Sequence, residues 1–364
     1  MKLKLKNTPE QVELIKAMGS RDVAVAREAS EAFAAFIGPV VQKVLSQAGT
    51  ANMIYTDNEF DEDDNPSFPL DLYYNSDAGH VSVWSQGVAG GVPTSEVSGM
   101  SELKISTYRL DSAVSFLKRY ARRARLDVVG KAVERMAQEV LVKQERNAWA
   151  VVLKALAEAS TQSLFQVIGG GSNGAFTLAD LNSLMIRTKR INVSFANGTP
   201  SDLGSKGLTD LFVSPEVMGN VRAFAYNQVS NATTDLPAGV REEIYRNAGL
   251  SEIYGVTLHE LVELGLSKKY NTLYGTFAGT TRPIGGGGNG AGTFATATEE
   301  VIVGLDLSRE SFVRPVARQA ESGGTFASTP DDQFTARAEK VGFYGFLEEG
   351  RVCLDSRAVV GLVI

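Results

Sequence analysis

Side chains that could act as nucleophiles or as histidine bases are scarce in this chain of 364 residues. It contains two histidines, His80 and His259, and a single cysteine, Cys353, which stands between Val352 and Leu354. His80 lies in a glycine- and serine-rich stretch, and His259 follows a predicted strand in an apolar setting. Because a cysteine flanked by aliphatic residues is usually a buried structural thiol, the sequence disfavours Cys–His catalysis.

Metal and phosphate sites also lack support. Two histidines and one cysteine cannot build a zinc site of the usual composition. The acidic stretch Asp57–Asn65 lacks the glycine and the glutamate of a calcium-binding hand loop. We interpret it as a solvated acidic loop, with a loose cation site at an interface as the alternative. The glycine-rich stretches 169–174 and 285–292 lack the Lys-Ser/Thr pair of a P-loop and are predicted connectors. We therefore expect no catalytic residue, no metal and no cofactor.

A dense basic cluster has five cations in eight residues: Lys118, Arg119, Arg122, Arg123 and Arg125. On a helix these side chains would lie on adjoining faces. Three interpretations stay open: a solvated face, pairing with a carboxylate-rich patch of a neighbouring subunit, and contact with nucleic acid. The last is the weakest, because only Tyr120 accompanies the cluster as a stacking aromatic.

Composition limits the class of protein. Net charge is −6, from 36 basic and 42 acidic residues, which argues against a protein whose main task is binding phosphates. No window reaches the roughly 18 consecutive apolar residues of a membrane span. The start, Met1–Lys6, is basic but is not followed by the apolar run of a secretory signal, so we expect synthesis in a cytoplasm.

The elements that would position these residues change along the chain. Residues 8–47 are predicted to form two or three helical pieces, interrupted near Gly19 and again at Gly38–Pro39. Residues 49–110 contain β-favouring segments at 70–74, 80–85 and 103–108, joined by glycine-rich turns. Residues 111–159 are predicted to form one long helix that Asp111 caps and that starts at Ser112, with a kink near Gly130 as the alternative.

The remainder alternates helices and strands. A helix is predicted at about 177–190, a strand entering a helix at Pro215, and a strand with a glycine bend at 252–258. Further strands are predicted at 300–306, 311–316, 334–344 and 358–364, with a small polar linker at 321–332. The fold class is α+β. The arm, the β excursion and the long helix cannot each bury their own apolar faces, so other copies of the chain are expected to cover them.

This order of elements resembles that of the tailed-bacteriophage major capsid proteins of the HK-ninety-seven-like fold. Short stretches are also similar to that family: Leu211–Val217 to its strand-then-helix entry, Ile253–Leu258 to a recurring strand, and Gly350–Leu362 to its closing strand. The resemblance implies an N-terminal arm (1–48), an extended β loop or E-loop (49–110) and a spine helix of the peripheral domain (111–169). It also implies an axial domain (170–299), peripheral strands and loop (300–345) and an axial closing strand (346–364).

The resemblance implies a function in assembly. Pentamers and hexamers would form an icosahedral shell around double-stranded DNA that the protein contacts non-specifically. Scaffold, portal and decoration proteins are possible partners, and a membrane is not. The location would be the virion capsid, assembled in the host cytoplasm. As subunit-interface candidates we take the five basic residues together with Asp61, Asp63 and Trp84.

Two other functions are weighed against this one. An encapsulin-like cellular nanocompartment would share the fold and would hold a cargo enzyme in place of a genome. An unrecognised carboxylate hydrolase would use Glu134, Glu139 or Glu145, although their spacing from Arg135 and Lys143 suits helical ion pairs.

Overall fold

The computed structural model describes residues 8–47, 49–61, 64–69, 102–123, 125–158, 166–170, 174–193, 207–230, 252–279, 294–319, 324–331 and 339–364. Helices and strands both contribute, which confirms the α+β class. Among the described helices, none combines the length and the apolar composition that crossing a membrane requires. The chain divides into two compact units, which are described separately below.

The first elements in chain order are helical, and strands and the long helix follow. They are α1 (Pro9–Met18), α2 (Val23–Gln47), α3 (Ala51–Ile54), β1 (Thr56–Asp61), β2 (Ser67–Pro69), β3 (Glu102–Lys104), β4 (Tyr108–Leu117), α4 (Lys118–Arg122) and α5 (Leu126–Glu158).

Shorter helices and strands alternate in the rest of the chain. They are β5 (Val167–Gly169), α6 (Leu178–Val193), β6 (Asp210–Val213), α7 (Pro215–Ser230), β7 (Glu252–Ile253), β8 (Val256–Glu260), α8 (Lys269–Ala278), β9 (Val301–Leu305), β10 (Phe312–Arg318), β11 (Ala327–Asp331), β12 (Lys340–Glu349), β13 (Val352–Cys353) and β14 (Val359–Val363). Single turns of 3₁₀ helix lie at Val262–Leu264, Leu307–Arg309 and Ser356–Ala358.

Unit 1 comprises Met1–Phe68, Lys104–Ala148 and Val313–Val352. Its sheet has the order β1-β10-β12-β11, and β4 pairs with β12. β1 runs parallel to β10, whereas β12 is antiparallel to β4 and β11. Side chains from α1, α2, the first half of α5 and the sheet share one apolar core. The core is tightly packed, since Phe343 lies 5.2 Å from Phe33 and 6.1 Å from Phe116 between ring centroids.

The N-terminal helices differ from the sequence expectation in two respects. The predicted break near Gly19 is confirmed, but α2 continues through Pro39. Ile37 and Val41 are buried on either side of that proline, so core packing offsets the lost helical hydrogen bond. The apolar face of these helices is buried inside unit 1 and does not need another copy of the chain to cover it.

The predicted helix start at Ser112 is wrong. Residues 108–117 form β4, which pairs with β12 over its whole length. The reason is visible in the burial of its side chains, which alternates with a period of two: Leu110 and Phe116 are buried, whereas Asp111 and Ser115 are exposed. The long helix therefore contains 33 residues, Leu126–Glu158, and it continues past Gly130.

Two other segments were predicted to be irregular and are strands. The acidic stretch contains β1, because its backbone pairs with β10 from Thr56 to Asp61. The polar linker at 321–332 contains β11, which pairs with β12. Both are edge positions, where polar side chains are compatible with strand pairing. The predicted strands at 70–74 and 80–85 lie outside the described residues.

Unit 2 comprises Pro69–Leu103, Trp149–Phe312 and Cys353–Ile364. Its sheet has the order β5-β14-β9-β6-β8-β7. The predicted helix at 177–190, the helix entry at Pro215 and the strands near 300–306 and 358–364 are confirmed. The single bent strand predicted at 252–258 is instead a hairpin, because the chain turns at Tyr254–Gly255 and β7 pairs antiparallel with β8. Trp149 is fully buried and lies 5.0 Å from Phe212 and 5.6 Å from Tyr270 between ring centroids, so it fixes the second half of α5 in this unit.

A pair of substitutions on β4 tests the corrected strand. We expect Phe116→Ala to lower the free energy of unfolding by about 3–5 kcal/mol, because a buried ring is lost against Phe343. Ser115→Ala, on the opposite and exposed face, should change it by less than about 0.5 kcal/mol. Chemical denaturation of both variants measures the difference, and equal losses would contradict an alternating strand.

Candidate functional site

The most elaborate polar arrangement in unit 1 surrounds the carboxylate of Glu349, the last residue of β12. Its side chain is completely buried. Arg314 on β10 donates from Nε to Glu349 Oε2 at 2.8 Å, and Arg351 donates from Nε to Oε1 at 3.3 Å. The Tyr108 hydroxyl donates to Oε1 at 2.8 Å, and Gln144 Nε2 donates to Oε2 at 3.0 Å. Both carboxylate oxygens are therefore fully hydrogen-bonded.

The electrostatics of this cluster keep Glu349 ionised. Burial by itself raises the pKa of Glu349, but the positive charges of Arg351 and Arg314 outweigh it and bring the pKa below its ordinary value. Burial, and then repulsion from Glu349, raise the pKa of Tyr108 to about 12. The anion is thus held between two guanidinium groups and a neutral phenol, and it has no proton to donate near neutral pH.

The same two arginines connect the cluster to the segment around β1. Arg314 Nη1 lies 3.2 Å from Asp57 Oδ1, and the Arg351 guanidinium lies 4.7 Å from the centroid of the Tyr55 ring. The Tyr55 hydroxyl in turn donates to the carbonyl oxygen of Ala148 at 2.9 Å. This arrangement is suited to holding α5, β1, β4, β10 and β12 together, and its carboxylate is completely buried among the described residues.

The predicted basic cluster lies on and just after α4, which is separate from α5. The sequence predicted that this cluster lies near the start of the long helix, and that prediction is wrong. Arg122 Nε donates to the carbonyl oxygen of Gly19 at 2.8 Å and so satisfies the C-terminal end of α1. Arg119 stacks 5.1 Å from the centroid of Tyr120. Arg123 and Arg125 are exposed, whereas Lys118 is half-buried.

Folding brings two further cations to this place that the sequence analysis missed. Lys16 and Arg21 line an open depression of about 540 Å³ together with Arg122 and Val25. Lys16 and Arg21 are about a hundred residues from the predicted cluster in sequence, so no local pattern could have grouped them. Within the described part of the chain, no carboxylate lies within 4 Å of the five predicted cations.

The acidic interface candidates are only partly described. Asp61 is exposed at the end of β1, in register with Arg318 of β10. Asp63 and Trp84 lie outside the described residues. Among the described residues, no three His, Cys, Asp or Glu side chains are placed to hold a metal ion.

His259 and Cys353, the histidine and the cysteine among the described residues, lie in surroundings typical of structural side chains. His259 Nε2 lies 2.8 Å from Asp210 Oδ1, and its ring stacks on Phe212 at 4.8 Å between centroids. Burial, and then repulsion from Asp355, raise the pKa of the Cys353 thiol to about 12, which leaves little thiolate at neutral pH. His80 lies outside the described residues.

Two further residues to consider for catalysis are Ser172 and Glu145. Residues 170–174 match the letters G-x-S-x-G, but Ser172 is outside the described residues, and α6 begins only at Leu178. A nucleophile elbow would carry its serine directly at the turn from strand to helix. Glu145 accepts hydrogen bonds from the Thr50 hydroxyl and the Ala51 N–H, both at 2.9 Å, so it anchors the start of α3.

No family model matches this sequence, and no curated protein matches it either. Among solved structures, it is similar to that of Microbacterium phage Oxtober96, with 13% identity, 87% of this chain and 91% of that chain covered, and a TM-score of 0.48. It is similar to the capsid of cyanophage Pam1, with 11% identity, 85% and 88% covered, and a TM-score of 0.48. It is also similar to the SrpI encapsulin of Synechococcus elongatus, with 14% identity, 72% and 75% covered, and a TM-score of 0.40.

Removing the charge of Glu349 tests the central role of the cluster. We expect Glu349→Gln to lower the free energy of unfolding by about 3–5 kcal/mol, because Arg314 and Arg351 lose their buried counter-charge. The matched control is Glu348→Gln on the same strand, whose half-buried side chain is bonded to the Thr107 hydroxyl. It should cost less than about 1 kcal/mol in urea denaturation.

The pH dependence of the same pair gives the sign of the effect. The folded-state pKa of Glu349 is lowered, so its contribution is complete above its unfolded pKa of about 4.3. That contribution is lost as the pH falls through the folded-state pKa. The stability advantage of the unsubstituted chain over Glu349→Gln should therefore shrink below about pH 4. A constant difference from pH 3 to pH 7 would contradict an ionised Glu349.

Proposed function

We propose that this chain is a major capsid protein, which assembles in pentamers and hexamers into an icosahedral shell. The observation that carries the proposal is the order of its elements. Three N-terminal helices and an acidic edge strand precede an insertion, residues 69–103, that interrupts unit 1. Strand β4, the long helix α5 and mixed sheets follow. The capsid family that the sequence resembles has an arm, an extended loop, a spine and two domains in that order.

The insertion is anchored at a narrow base. The Ile105 N–H donates to the Pro66 carbonyl oxygen at 3.1 Å. The points where the chain leaves unit 1 and returns to it therefore lie side by side. An insertion of this kind can be exchanged between copies or laid over them without changing the body that carries it. In the proposal residues 49–110 act as the E-loop, and residues 69–103 are the part that reaches another subunit.

The chemistry of the described residues supports a structural role. The buried carboxylate Glu349 is saturated with hydrogen bonds, and Glu145 serves as an anchor for α3. In the proposal the protein is not an enzyme, and it holds no cofactor. Its partners are further copies of itself, packaged double-stranded DNA contacted non-specifically, and scaffold, portal and decoration proteins. Its location is the virion capsid, assembled in the host cytoplasm.

Removal of residues 70–101 tests assembly separately from folding. We expect a chain in which residues 70–101 are replaced by a short Gly-Ser linker to unfold cooperatively, because the Pro66–Ile105 bond already joins the two ends. It should form no particles in negative-stain micrographs, whereas the full chain does. The control shortens the glycine-rich stretch 285–288 and should still form particles.

Two outcomes would contradict the proposal. Normal particles from the shortened chain would remove the insertion from assembly. A full chain that stays monomeric in every condition, with scaffold supplied, would refute a shell-forming protein. Particles that contain a cargo enzyme and no DNA would instead identify a cellular compartment.

Charge reversal in the basic cluster separates assembly from stability. We expect Arg123→Glu to impair particle formation and to change the free energy of unfolding by less than about 0.5 kcal/mol, since Arg123 is exposed. Arg122→Glu should lower both particle formation and the free energy of unfolding, because it also removes the hydrogen bond to the Gly19 carbonyl oxygen. Light scattering and thermal unfolding measure the two quantities. Unchanged assembly of the Arg123 variant would favour a merely solvated face.

A further inference from the structure

Among the strands that the structure describes, β1 is an edge strand. Of the described strands, only β10 pairs with β1, and β1 stands at the end of its sheet. An edge strand presents unpaired backbone N–H and C=O groups, which can accept an additional extended segment. Five of the six side chains of β1 are exposed, and only Phe60 is half-buried. The strand can therefore be reached by another chain.

This edge carries a regular row of negative charge. Asp57, Glu59 and Asp61 alternate along β1, so they project from one face about 6.6–6.8 Å apart. The Asp57 side chain forms an ion pair with Arg314 but is still 58% exposed. Among the described residues, Glu59 and Asp61 have no cationic partner within 4 Å. A matching partner would present cations at every second residue of an extended segment.

The sequence contains one such segment. Lys2, Lys4 and Lys6 alternate with Leu3 and Leu5, with the period of two that a strand requires. Residues 1–7 lie outside the described residues and are followed by Thr8, after which α1 begins at Pro9. Their sequence therefore has the same spacing as the row on β1 and the opposite charge.

The other basic cluster fits this edge less well. Lys118 and Arg122 lie on the short helix α4, and a helix does not supply the backbone groups that an open strand edge accepts. Arg122 is also engaged with the carbonyl oxygen of Gly19. Backbone geometry and charge spacing together favour the N-terminal segment.

We propose that residues 2–6 of one copy add as an extra strand to the outer edge of β1 in a neighbouring copy. Lysines then lie opposite the row of carboxylates, and the leucines lie on the other face beside Phe60. The contact joins two different surfaces of the same protein, and contacts of this type generate closed rings when the rotation between subunits closes. This inference rests on the proposed assembly function and names one contact within it.

Disulfide trapping in the full chain tests the pairing directly. Under mild oxidation, Lys4→Cys with Glu59→Cys should give a ladder of dimers and higher species on a non-reducing gel. The unsubstituted chain, whose one cysteine has a raised pKa, should not. A control with Arg123→Cys and Glu59→Cys should also give no ladder. A ladder only in that control, a bond only within one chain, or no bond at all would each overturn the proposal.

Charge exchange provides a second test that does not depend on cysteine. Reversal of Lys2, Lys4 and Lys6 to Glu should raise the concentration for half-assembly about tenfold, and Glu59→Lys with Asp61→Lys should do the same. The chain that carries both sets should recover assembly to within about threefold of the original. Circular dichroism and thermal unfolding confirm that each variant folds. Failure of the combined chain to recover would overturn the pairing.

The two proposals fail in different ways. If the full chain forms shells but gives no ladder and no charge rescue, the strand pairing is wrong and the shell function stands. If the ladder forms but micrographs show no closed particles, the pairing stands and the shell function is wrong.

Discussion

The buried carboxylate of Glu349 is the interaction on which unit 1 depends. A buried charge is costly unless it is paired and hydrogen-bonded, and here two arginines, a tyrosine and a glutamine supply every partner. The partners come from β4, α5, β10 and the residues after β12. Any displacement of one of these elements would leave a charge in a low-dielectric interior. The cluster therefore specifies one arrangement of the unit more strongly than apolar packing alone.

This rigid arrangement determines where charge is left at the surface. Arg314 contacts both Glu349 and Asp57, and the backbone pairing of β1 with β10 places β1 at the edge of the sheet. Glu59 and Asp61 then project from that edge. On another part of the unit, Arg122 is used to dock α4 on the end of α1, which leaves Arg123 and Arg125 exposed. A body with separate acidic and basic surfaces is suited to contacts between copies.

Unit 2 is held differently. Its centre is aromatic and aliphatic, with Trp149 of the long helix packed against Phe212 and Tyr270. Its buried carboxylate, Glu300, accepts hydrogen bonds from the Ser214 hydroxyl and the Leu266 N–H, and burial raises its pKa. These contacts organise strand and helix ends and leave no arrangement typical of catalysis among the residues that the structure describes.

The sequence by itself determined the α+β class, the scarcity of catalytic groups and the elements with strong local signals. The helix that begins at Pro215 and the turn at Gly255 are examples, because proline and glycine restrict the backbone locally. Tertiary structure alone decided that residues 108–117 form a strand, since their pairing with β12 involves partners more than 220 residues away. It also decided that Glu349 meets Tyr108, Gln144 and Arg314. Local periodicity carries no information on which distant side chain will neutralise a buried charge, and only the folded chain brings those partners within hydrogen-bonding distance.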